Sequence, residues 1–140
     1  MESFYYQLND AKMFADVTEG TAIIIDSLTG IYYGMNGFGT CIFENLQAGV
    51  STGDILDTVK AIPDAPQELD ALFECFINSL VEFEIIIPGV GNSEATPAIN
   101  PEIAKADAFT PVCTEYQDVQ DLLYADPIHE VDIEEGWTPE

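Results

Sequence analysis

The apolar residues of this chain change their spacing once, at Asn36, and that change most constrains its fold. Before Asn36 they fall in short runs of strand character. Residues 13–17 and 21–26 read as two short strands, the second a continuous apolar run through Ile23, Ile24 and Ile25. Ser27-Leu28-Thr29-Gly30 has turn chemistry, and Ile31, Tyr32, Tyr33, Gly34 and Met35 read as a third strand. From Asn36 onward the spacing is helical. Asn36 can cap a helix carrying Phe38, Ile42, Phe43 and Leu46, which Gly49 stops. Ser51 or Thr52 caps a second helix with Ile55, Leu56 and Val59, ended by Pro63. A third follows, with Pro66 in its first turn and a broad stripe of Leu69, Leu72, Phe73, Phe76, Ile77 and Leu80. Strands first and helices after them predict an α+β fold: winged-helix-like, with a three-stranded antiparallel sheet followed by three helices that cover one face.

The continuous pattern ends near Pro88, where Pro88-Gly89-Val90-Gly91-Asn92-Ser93 and then Pro97 and Pro101 have linker chemistry. The 140 residues therefore divide into one domain at 1–88, a linker at 89–106 and an acidic tail at 107–140. The tail holds 10 acids and no base. Its apolar residues Tyr116, Val119, Leu122 and Leu123 are too few to fold alone, so it is expected to order only on a groove. That groove could belong to this chain, to a second copy through self-association, or to another recognition module.

The whole chain carries a net charge of -23, with Lys12, Lys60 and Lys105 its only basic residues besides one histidine. It cannot supply the phosphate contacts that dominate nucleic-acid affinity, and an anionic membrane surface repels it. The carboxylate surplus suits either solubility in salty surroundings or a basic partner. No apolar run approaches the roughly 20 residues of a bilayer span, and Met1-Glu2-Ser3-Phe4 lacks the basic start of a secretory signal. A cytoplasmic location is expected.

The run Asp26-Ser27-Leu28-Thr29-Gly30-Ile31-Tyr32-Tyr33-Gly34-Met35-Asn36, continued by Cys41-Ile42-Phe43-Glu44-Asn45-Leu46 and by the helix ending Leu80-Val81-Glu82-Phe83, resembles PqqD-like proteins, the RiPP recognition elements. The likeness covers roughly residues 11–87, with Phe43 where that family usually has Trp. It implies a non-catalytic module that binds the leader of a precursor peptide by strand addition and presents it to modifying enzymes. It also implies where the peptide sits: on Ile31, Tyr32, Tyr33, Gly34 and Met35, against the third helix at Leu72 and Phe76. The segment 109–123 is similar to lasso-type leader peptides, in Phe109, Pro111, Tyr116, Asp118, Val119 and Leu122. Cys113, Gln117 and Leu123 replace the usual Leu, Gly and Thr. Asp126-Pro127-Ile128-His129-Glu130-Val131-Asp132 with Gly136-Trp137 resembles the C-terminal ends of some PqqD-like proteins. A different expectation is an interaction or regulatory protein whose tail docks a partner or fills its own groove.

Catalytic chemistry finds little support. His129 is the single histidine, and with Asp126, Glu130 and Asp132 it makes no second ligand cluster, so no metal is expected. Cys41 and Cys75 lie in apolar periodic segments, where small buried side chains are expected, and neither has a basic neighbour at helical distance. The glycines Gly34, Gly37 and Gly39 come without the lysine of a phosphate loop. No cofactor and no catalytic residue are expected.

Overall fold

The change of spacing at Asn36 separates the first four strands from the first three helices in the structure, a computed structural model in which residues 4–92 and 94–116 are described. The chain order is β1 (Tyr6–Leu8), β2 (Met13–Thr18), β3 (Thr21–Asp26), β4 (Tyr32–Met35), α1 (Gly37–Gln47), α2 (Thr52–Lys60), α3 (Leu69–Glu82), β5 (Ile86–Pro88), α4 (Pro101–Ala106) and β6 (Cys113–Tyr116). The fold is α+β with antiparallel sheets. Among the described residues its main sheet has four strands, in the order β2-β3-β4-β6, in place of the three expected, and β1 pairs with β5 in a separate ribbon. The fourth strand escapes a sequence reading because its four residues, Cys-Thr-Glu-Tyr, have no apolar alternation of their own. Their pairing depends on an edge more than 70 residues upstream. Among the described residues there are four helices in place of the three expected, α4 being the addition.

Local chemistry explains most boundaries. Glu19 and Gly20 both have positive φ (54° and 81°), as the tight turn of the β2–β3 hairpin requires, with Thr18 opposite Thr21. Asn36 caps α1 by accepting from the Gly39 N–H, and Ser51 caps α2 by accepting from the Asp54 N–H. By contrast α3 has no side-chain cap, and it starts at Leu69, three residues after Pro66 rather than with Pro66 in its first turn. Packing makes this helix: Leu69, Phe73, Phe76, Ile77 and Leu80 are all buried.

The helices cover one face of the sheet. Met13, Ile24, Tyr33 and Met35 point inward against Phe38, Ile42 and Phe43 of α1, Ile55 and Val59 of α2, and the α3 stripe. The β1–β5 ribbon lies against α1 and α3, with Ile86 and the preceding Ile85 buried, and the Asn9 N–H donates to the Ile85 carbonyl (2.8 Å). Cys75, expected to be buried, is exposed, because it falls between Phe73 and Phe76 and so off the helical stripe.

Residues 89–106, read as a linker, are packed in part. The Asn45 side chain holds Ala98 as a neighbouring strand would: its Oδ1 accepts from the Ala98 N–H (2.8 Å) and its Nδ2 donates to the Ala98 carbonyl (3.0 Å). Asn100 then caps α4, Pro101 takes the first turn, and Ala104 is fully buried. Among the described residues no helix is long and apolar enough to cross a membrane.

Candidate functional site: the β4 edge and the segment that covers it

Asp26 sets the geometry of β4 from the turn that precedes it. Its buried carboxylate accepts from the N–H groups of Leu28 (2.9 Å) and Thr29 (3.2 Å), and Lys12 lies 3.4 Å away. Burial alone raises its pKa, but those two N–H donors and the ammonium outweigh it and hold the carboxyl below its ordinary value. The Asp26 N–H donates to the Ile31 carbonyl (2.9 Å). Bonded pairs recur at every second residue of an antiparallel ladder, so residues 31, 33 and 35 bond toward β3. That leaves Tyr32, Gly34 and Asn36 with main-chain groups aimed at the other side.

That other side is taken by the chain's own tail. β6 pairs antiparallel with β4, setting Met35 opposite Cys113, Gly34 opposite Thr114, Tyr33 opposite Glu115 and Tyr32 opposite Tyr116. The Asn36 N–H donates to the Val112 carbonyl (3.2 Å), so Gly34–Thr114 and Tyr32–Tyr116 follow as the next bonded pairs. Asn36 continues the ladder with its side chain: Oδ1 accepts from the Val112 N–H (3.0 Å) while it caps α1, and Nδ2 donates to the Thr110 carbonyl (2.9 Å). The Phe38 N–H at the start of α1 donates to the Asp107 carboxylate (2.8 Å). Phe109 is buried, with its ring edge-on to Phe38 at 6.4 Å, and Pro111 is buried beside it in sequence.

Glycines make room for this approach. A Cβ on Gly39 would stand 3.1 Å from the Val112 carbonyl oxygen, 3.1 Å from the Phe76 ring and 2.9 Å from Asn36 Oδ1. A Cβ on Gly37 would stand 3.2 Å from the Ile103 side chain. The three glycines that carry no phosphate-loop lysine are thus the places where the chain closes on itself, Gly34 lying under the Tyr116 ring.

The expected peptide-contacting residues divide by side of the strand. Tyr32, Tyr33, Gly34 and Met35 all lie opposite β6 residues, but only Tyr32 and Gly34 aim main-chain groups at it, whereas Ile31 precedes the pairing and bonds toward β3. The Tyr33 side chain is core, its ring 4.8 Å from Phe83, and burial followed by the charges of Glu115 and Asp26 pushes its phenol up. Met35 is also buried, and the main-chain groups of both bond toward β3, so they meet Glu115 and Cys113 of β6 as neighbours on the inward face. α3 lies against β6. Phe76 is buried with its ring at Gly39, while Leu72 is only half-buried on the same helix.

Of the tail residues singled out from the sequence, Phe109, Pro111 and Tyr116 lie on this edge, while Asp118, Val119 and Leu122 fall outside the described residues, as does His129 with its acidic neighbours. Asn36 and Asp107 escaped the sequence reading as site residues. A capping Asn looks complete once it has capped its helix, and Asp107 is one acid among many.

Burial pushes the Cys113 thiol up to about 12 and also raises that of Cys41, disfavouring the reactive thiolate at both. Among the described residues no three His, Cys, Asp or Glu side chains are grouped to hold a metal ion. No family model matches the chain, and no curated protein or solved structure matches it either.

Proposed function

We propose that this chain is a PqqD-like peptide-binding module, a RiPP recognition element, whose β4 edge accepts a precursor leader by strand addition for presentation to modifying enzymes. In this reading residues 107–116 occupy the same edge in the resting chain. The observation that carries it is the antiparallel pairing of Cys113–Tyr116 with Tyr32–Met35: an extended segment from a distant part of the sequence already sits where a leader would. The winged-helix-like character of residues 1–88 is supported by the succession β2, β3, β4, α1, α2, α3. The same pairing favours a regulatory variant of the reading, in which the tail is an occupant that an incoming leader displaces.

The test uses the full chain with Thr114→Pro, which removes the N–H that ladder alternation aims at Gly34. Glu115→Pro is the control, because its N–H points away from β4. A synthetic peptide of residues 105–116 should bind the Thr114→Pro chain and restore hydrogen-exchange protection at Tyr32, Gly34 and Asn36, with weak binding to the Glu115→Pro and unaltered chains. If a folded Thr114→Pro chain ignores the peptide, the edge is not a peptide acceptor.

A further inference from the structure

The segment on the β4 edge is held by three devices that read different chemistry. A side-chain pocket takes Phe109, which is only 5% exposed and packs against Phe38. Two residues earlier, Asp107 places a carboxylate on the Phe38 N–H. α1 has no acidic residue in its own first turn, whereas α2 and α3 have Asp54 and Asp70 there, so the anion at this helix start comes from the tail. Three residues after Phe109, Asn36 clasps Val112 with its backbone N–H and its side-chain oxygen together, which fixes the strand register. Between these points the buried Pro111 disfavours a helical conformation at Thr110, whose carbonyl accepts from Asn36 Nδ2 (2.9 Å).

We infer that the groove recognises, in a peptide from another chain, an acidic residue two positions before an aromatic one, with proline two positions further on and then a strand of about four residues. This deepens the peptide-binding reading above and rests on it. The body is acidic, with 14 acids against two lysines in residues 1–90, so general attraction cannot select such a ligand. Selection falls to the placement of one carboxylate at one helix start.

The resident copy carries strain at one turn. Ala108 and Phe109 have φ of 53° and 57°, the left-handed region that a Cβ disfavours. They close the end of α4, the Phe109 N–H donating to the Ala104 carbonyl (2.8 Å) and the Ala108 N–H to the Lys105 carbonyl (3.0 Å). Glycine ordinarily stands where Ala108 does in such a helix ending. A peptide with glycine at that place adopts the same turn without the strain and competes with the resident segment.

Fluorescence anisotropy with labelled synthetic peptides of residues 100–116, which include α4, on the full-length Thr114→Pro chain tests the motif. Against the natural sequence, Asp107→Asn should weaken binding about fivefold, Phe109→Ala by at least about a hundredfold, and one residue inserted between these positions comparably. Ala108→Gly should tighten it by about threefold to fivefold. Equal affinity for all of these peptides and for one of residues 110–118 overturns the motif and leaves strand addition standing. Failure of every peptide to bind a folded chain overturns both. A second variant needs no proline: Asp107→Asn in the otherwise unaltered chain weakens the resident copy, so it should bind the Ala108→Gly peptide more tightly than the unaltered chain does, and equal binding contradicts the proposal.

Discussion

The two outer strands of the original three-strand run, β2 and β4, meet the same problem of an unpaired edge and resolve it differently. β2 has no neighbour beyond β3 among the described residues. It carries Asp16 and Thr18, and its Phe14 is 64% exposed. Charged and polar side chains are a usual protection of such an edge. β4 instead carries Tyr32-Tyr33-Gly34-Met35, with no charge, and is covered by β6. The difference teaches that coverage here is built rather than incidental: Asn36, the missing side chains of Gly37 and Gly39, and the Phe109 pocket all serve one edge and none serves the other.

Emptying the Phe109 pocket should break that asymmetry most severely. Phe109→Ala removes a buried ring, at a cost of about 3–5 kcal/mol to the docked tail. Exchange protection at Tyr32, Gly34 and Asn36 should collapse to the level of β2, while that of the α3 core amides persists. Loss of protection throughout the chain would instead make the tail an integral part of the core.

Gly39→Ala attacks the same edge from beneath. Alanine favours a helix by up to about 1 kcal/mol over glycine, yet its Cβ would crowd the Val112 carbonyl and the Asn36 side chain. Overpacking of this kind costs about 1–3 kcal/mol, so the net effect should be lower stability of the tail contact in denaturant-dependent exchange. A more stable tail contact would mean that the close approach relaxes freely.

The turn that aims β4 gives a pH-dependent version of the comparison. The Asp26 carboxyl is held below its ordinary value in the folded chain, so its contribution is complete above the unfolded value near 3.9 and fades as pH falls through the folded one. Acid titration of the β3–β4 turn amides should show this loss, and Asp26→Asn should be less stable near neutrality and flatter in acid. An unchanged acid profile in that variant would place the pH dependence among other carboxylates. Phe14→Ser on the open edge should move stability least, within about 0.5 kcal/mol, with unaltered binding of the 105–116 peptide as the check.

Much of the framework is legible in the sequence. The switch at Asn36, the caps at Asn36 and Ser51 and the stripe on α3 each follow from local rules, since capping and periodicity act within one or two turns of the chain. Strand content around β2, β3 and β4 was equally readable, because β-branched and aromatic runs bounded by turn residues are local signals too. The ribbon of β1 with β5 was not, since three-residue strands are shorter than any periodic pattern can register.

The site divides in the same way. Sequence by itself determined that an uncharged strand of Tyr32-Tyr33-Gly34-Met35 ends at a capping Asn36, and that a Phe109-Thr110-Pro111 segment lies far downstream. Only the tertiary structure decided that they meet, which residues of β4 face the tail, and that Asn36 and Asp107 serve both a helix start and a docked strand. The physical reason is that strand pairing carries no local signature of its partner. Backbone donors and acceptors are the same in every residue, so register and choice of edge emerge only when side chains such as Phe109, and absences such as that at Gly39, fit one surface and no other.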